Sequence, residues 1–70
     1  MNGLLLRSLE EKLPLEVIYL SEKQQISQRK MIIKEINNNT VRAYCLLRHQ
    51  VRTFRMENIL SVMPEKRLLH

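Results

Sequence analysis

Hydrophobic positions recur with two different periods along this 70-residue chain. Near the start, Leu5, Leu6, Leu9 and Leu13 fall at helical spacing with Glu10 and Glu11 on the polar side, which predicts a short helix over residues 2–12. Pro14 ends it, because the residue before a proline is pushed out of helical geometry and the ring has no N–H to donate. The leucine stripe either plugs one end of a barrel or docks on a partner. The plug is the expected role, since a core this small can hardly spare the area.

Beyond Pro14 the period changes to two. Leu15 to Ser21 reads as a strand whose Val17, Ile18, Tyr19 and Leu20 are apolar on both faces, the pattern of a largely enclosed strand. Polar Glu22 to Gln25 form a turn. Ile26 to Ile36 is a long second strand with apolar residues on both faces at Met31 to Ile33, so a bend or bulge is expected there. Asn37, Asn38 and Asn39 mark a turn, because asparagine tolerates left-handed backbone angles and bonds its own main chain.

Residues Thr40 to Leu47 and Val51 to Met56 are two β-rich runs around a polar break, and together they predict a hairpin. A two-residue loop at His49-Gln50 would pair Leu47 with Arg52 and Cys45 with Phe54. One face would then carry Ala43, Cys45, Leu47, Phe54 and Met56 with Arg52 at its end, and the other Arg42, Tyr44, Leu46, Arg48, Val51, Thr53 and Arg55. That loop lacks the glycine or asparagine that two-residue primed turns prefer. A single helical turn at Met56 to Asn58, a fifth strand at Ile59 to Met63 and a basic tail from Pro64 complete the chain. The pattern makes one domain, mainly β with a short N-terminal α-helix, whose five strands form an open sheet or close into a small barrel.

Composition narrows the function. Twelve Lys and Arg against seven Asp and Glu give a net charge of +5, which favours polyanionic partners through long-range attraction and counterion release. Cys45 is the only cysteine, so neither an internal disulfide nor a thiolate metal cluster can form, and a cytoplasmic location is expected. No apolar run approaches the length of a membrane span, and no signal-peptide pattern is visible.

An enzyme finds little chemistry to use. His49 sits in a predicted turn and His70 at the terminus, the seven glutamates are scattered, and a single glycine, Gly3, excludes a glycine-rich phosphate loop. No metal-ligand spacing or cofactor motif appears. The candidate site is instead a set of cations and rings: Arg29, Arg48, Arg52 and Arg55 with Tyr19 and Tyr44. Guanidinium groups bind phosphate through paired hydrogen bonds, and aromatic rings give unstacked bases a platform, so the set suits single-stranded nucleic acid or a nucleotide-like ligand. Two alternatives stand beside this reading. The arginines are solvated strand edges and the tyrosines half-buried core, or the exposed strand edges make the chain a homo-oligomer or a docking module for a regulatory protein.

Several stretches also resemble a known family. Ala43-Tyr44-Cys45-Leu46-Leu47-Arg48, then Arg52-Thr53-Phe54-Arg55, then Ile59, are similar to the carboxyl half of a WYL domain, a module of bacterial transcription regulators and defence proteins. Ile18-Tyr19 and Ser27-Gln28-Arg29 match the order of that family's first two strands, so the likeness spans roughly residues 9–63. The family's Trp-Tyr-Leu triplet falls near Asn39-Thr40-Val41 and is lost, Ile33 stands for a proline, and Glu57-Asn58 replaces an acidic-basic pair. The resemblance implies a divergent member with a five-stranded Sm-like (Src-homology-3-like) barrel. It also implies ligand sensing through basic residues at the positions of Arg29, Arg48 and Arg52. Such regulators usually carry an amino-terminal helix-turn-helix, for which 70 residues leave no space, so a standalone module is expected.

Overall fold

A computed structural model describes residues 2–65; of the expected tail, residues 66–70 lie outside the described part. Helix α1 spans Asn2–Glu11 and is followed by strands β1 (Leu15–Leu20), β2 (Ile26–Ile36), β3 (Thr40–Cys45) and β4 (Gln50–Arg55). A single 3-10 turn, Met56–Asn58, leads into β5 (Ile59–Pro64). All neighbours pair antiparallel in the order β4-β3-β2-β1-β5.

Helix α1 ends where Lys12 takes a left-handed φ of 55°, one residue after Glu11 and two before Pro14. A left-handed residue at that place lets the chain leave the helix, and the proline blocks its continuation. The helix lies chiefly on β2 and also touches β5, burying Leu5 fully, with Leu4, Leu9 and Leu13 partly buried around it. It plugs the fold, as the leucine stripe predicts, except that Leu6 faces solvent. Ser8 takes its place against the sheet. Fully buried, its hydroxyl donates to the Leu13 carbonyl at 2.6 Å and accepts the Ile33 N–H at 3.0 Å, tying the helix exit to the middle of β2.

The core lies on the inner face of the sheet, where Leu15, Val17 and Tyr19 of β1 meet Met31 and Ile33 of β2, Val41, Ala43 and Cys45 of β3, and Ile59 of β5. Two irregularities keep apolar side chains on that face. Between Ile33 and Glu35 the pairing with β3 slips so that Lys34 has no partner, and Ile36 therefore returns to the inner face opposite Val41. Without the extra residue, the period of two would turn Ile36 outward. Leu60 is the matching extra residue in β5, between Ser61 opposite Ile18 and Ile59 opposite Tyr19. The bend expected at Met31 to Ile33 lies just past that stretch, at Lys34.

The β3–β4 hairpin corrects the expected register. Cys45 pairs with Gln50, Ala43 with Arg52 and Val41 with Phe54, so the loop is Leu46 to His49 rather than His49-Gln50. A two-residue primed turn needs positive φ at its first residue or at both, which His and Gln adopt poorly. The four-residue loop needs it once, at His49 (φ 56°), and closes with the His49 N–H on the Cys45 carbonyl at 2.8 Å. The slip is an even number of residues, so Ala43, Cys45, Arg52 and Phe54 keep their inner face. Leu47, expected in the core, lies in the loop and is 68% exposed.

The five strands do not close into a hydrogen-bonded barrel: among the described residues β4 pairs only with β3, and β5 only with β1. Three residues of 3-10 turn separate the two edge strands, and the Met56 N–H is held by the Asn39 carbonyl at 2.7 Å, one step beyond the last β3–β4 pair. That bond draws the connection toward the β2–β3 turn and away from a pairing position beside β5. The sheet coils nonetheless, and the Tyr19 and Phe54 rings meet across the gap at 4.8 Å between centroids.

Candidate anion-binding cleft

Where edge strand β4 curls against the end of β1, the seam holds a chemically mixed hollow, a cleft of about 480 Å³. Its one wall is continuous chain from Arg52 to Arg55 in β4; the other is the end of β1 and the following turn, Tyr19 to Lys23. Thr40 and Asn58 complete it. Residues of both parities line the β4 wall because the cleft runs along the strand's free edge. The bonded Asn39–Met56 pair fixes which backbone groups face it: bonded and non-bonded pairs alternate in an antiparallel ladder, so the N–H and C=O groups of Thr53 and Arg55 turn to the free edge.

The opposite wall is shaped by a three-residue turn. The Ser21 N–H bonds the Gln25 carbonyl at 2.8 Å, the Gln24 N–H bonds the Ser21 carbonyl at 2.9 Å, and Gln24 takes a left-handed φ of 63°. This geometry presents Lys23 and Glu22 at the turn's exposed tip, across from β4. Cations therefore outnumber carboxylates in the cleft, with Lys23, Arg52 and Arg55 against Glu22. Arg55 is shared with Glu57, which stands 3.7 Å away outside the cleft lining, whereas Lys23 and Arg52 enter no ion pair among the described residues.

Of the six residues singled out in the sequence, three line this cleft: Arg52, Arg55 and Tyr19. Tyr19 is only 8% exposed, so its ring supports Phe54 from beneath and Phe54, half-buried, is the ring nearer solvent. The other three lie elsewhere. Arg29 is on the inner side of β2 opposite Val17, with its guanidinium donating to the Gln28 carbonyl at 2.7 Å. Arg48 is at the tip of the β3–β4 loop. Tyr44 is on the outer face, its hydroxyl 3.3 Å from His49 Nδ1. The expected convergence of four arginines is thus two arginines in a cleft, one at a hairpin tip and one on β2.

Lys23 is the cleft cation that sequence reading passed over, because a lysine in a polar turn carries no local signal. Only the coiling that joins β1 to β4 brings it opposite Arg52. A wider hollow of about 680 Å³ lies beside the Asn38-Asn39 turn and shares Thr40 and Arg55, but its one cation already faces Glu57 and it holds no aromatic ring. Among the described residues no three His, Cys, Asp or Glu side chains gather as metal ligands, and no helix is long and apolar enough to cross a membrane. The chain matches no protein-family model, no curated protein and no solved structure.

Proposed function

We propose that this chain is a non-enzymatic binding module that takes the phosphate of a single-stranded nucleic acid or nucleotide-like ligand in the seam cleft. The carrying observation is the placement of Lys23, Arg52 and Arg55 around one hollow beside the Phe54 ring. Guanidinium and ammonium groups supply charge, the free-edge N–H groups supply directed donors, and a ring supplies a stacking surface. In this reading the chain is a divergent WYL-like domain acting in transcription regulation or defence in the bacterial cytoplasm. Supporting it are the residue likenesses at Arg52-Thr53-Phe54-Arg55 and the sequence of one helix, four strands, a 3-10 turn and a fifth strand. The coiled sheet is then an Sm-like barrel left open at one seam.

The test is a fluorescence-anisotropy titration against single-stranded and duplex oligonucleotides at two salt concentrations. Single strands should bind more tightly, and affinity should fall steeply with salt. Absence of binding at low salt would reject the reading.

A second reading is favoured by one observation, the two unpaired edge strands with Val51 and Leu60 exposed beside them. Free edges pair with further strands, so the chain would act as an oligomerisation or protein-interaction module. Sedimentation at high salt separates the two, because an apolar edge interface survives salt that strips the protein from phosphates.

A further inference from the structure

We infer that the seam cleft is a pocket for a single nucleotide bearing a phosphate monoester, either free or at the end of a strand, rather than a groove for the interior of a strand. The inference rests on the proposed function and narrows it. At about 480 Å³ the cleft is large enough to admit a nucleotide, but the hollow beside the Asn38-Asn39 turn, about 680 Å³, is no smaller, so the lining and not the volume decides. A protein that follows a strand lines a continuous groove with cations and successive stacking rings. Here the cations do not continue. Arg48 is at the far hairpin tip, Arg29 faces Val17 on β2, and Tyr44 is on the outer face against His49.

Charge points the same way. A terminal phosphate monoester carries about −1.5 to −2 at neutral pH, whereas each phosphate inside a strand carries a single charge. Lys23, Arg52 and Arg55 against Glu22 leave a local excess of positive charge, which Glu57 beside Arg55 reduces until a phosphate displaces it. Arg52 and Arg55 offer paired donors to phosphate oxygens, and Lys23 on the opposite wall offers a point charge that closes the third side. The Thr53 and Arg55 N–H groups along the β4 edge add uncharged donors of fixed direction. Phe54, backed by Tyr19, is the surface for the base.

Glu57 acts in this site as an internal competitor. Its carboxylate stands 3.7 Å from the Arg55 guanidinium, and a bound phosphate must draw that guanidinium away. Neutralising it should therefore tighten binding of the dianion.

The experiment compares four probes by calorimetry at fixed salt: inorganic phosphate, a nucleoside monophosphate, and one short oligonucleotide with and without a terminal phosphate. The terminal phosphate should raise oligonucleotide affinity roughly tenfold or more. Lys23→Gln, at an exposed turn where the fold does not depend on it, should weaken the phosphorylated strand more than the unphosphorylated one and so shrink that difference. Glu57→Gln should strengthen binding of the phosphorylated strand. Equal affinity for the two oligonucleotides overturns the pocket while the proposed nucleic-acid function stands; no binding by any probe overturns both. Inorganic phosphate binding as well as the nucleoside monophosphate would show an adventitious anion only, and would also reject the pocket.

Discussion

Tyr19 and Phe54 touch edge to face, with centroids 4.8 Å apart and planes at 60°, although the sheet pairing sets them at opposite ends of β2. Tyr19 pairs with Ser27, and Phe54 pairs with Val41, which pairs with Ile36. On a straight strand Ser27 and Ile36 would be about 30 Å apart. Only a coiled β2, wrapped around Leu5 and the core, brings the two ends of the sheet together. Side chains, not backbone hydrogen bonds, seal the seam.

Phe54→Ala should therefore destabilise the domain by about 2–3 kcal/mol, less than the ~3–5 of a fully enclosed phenylalanine because Phe54 is half-buried. A double-mutant cycle with Tyr19→Leu, read by urea denaturation, should give a coupling of about 0.5–1.5 kcal/mol. Additive losses would mean that the rings do not interact in solution.

Ser8→Ala should cost about 2–4 kcal/mol despite removing a single oxygen. The hydroxyl serves two backbone groups in a fully buried position, the Leu13 carbonyl and the Ile33 N–H, and each orphaned group costs about 1–3 kcal/mol. Hydrogen exchange at Ile33 should accelerate with the loss. A change within about 0.5 kcal/mol would place water where the hydroxyl stands and refute the direct clamp.

Lys12, Gln24 and His49 are the three non-glycine residues with positive φ among the described residues. Each →Gly variant should gain about 0.5–1 kcal/mol, because glycine adopts that geometry without the Cβ penalty. Asn38→Gly is the control. The Asn37 N–H bonds the Thr40 carbonyl at 2.8 Å around a turn without positive φ, so glycine there should lose stability instead. Thermal melts of the four variants read the signs directly.

These turns show what was legible in the chain and what was not. Element types follow from local periods: the leucine spacing before Pro14, the two-sided apolar run in β1 and the asparagine turn are all local. The inner face of the hairpin is local too, since parity alone keeps Ala43, Cys45 and Phe54 together. Its register is not, because a four-residue loop closed by a left-handed His49 looks in sequence like strand followed by a tight turn. The same holds for the candidate site. Arg52 and Arg55 are neighbours in sequence and remain so in the cleft, whereas Lys23 meets them through the coiling of the whole sheet. Arg29 and Arg48 drop out for different reasons: Arg29 lies on β2 opposite Val17, away from the cleft, and Arg48 lies in the four-residue loop and not on a strand.

Charge reversal separates the arginines by position. Arg52 lies on the inner face at the cleft wall and is exposed, with no carboxylate partner among the described residues, so Arg52→Glu should remove nucleic-acid binding while leaving circular dichroism and the melt unchanged. Arg48→Glu, at the hairpin tip, changes net charge equally but touches no cleft atom, so its effect should be small and confined to long-range attraction. Salt dependence tells direct neutralisation from attraction at a distance: for a single strand, each phosphate that the protein ceases to neutralise lowers the slope of log affinity against log salt by about 0.7. Arg55→Gln should thus flatten the slope by about that amount while retaining measurable binding, whereas Arg48→Gln should leave it nearly unchanged. Equal flattening by the Arg48 and Arg55 variants would mean that the strand follows the hairpin instead of entering the seam.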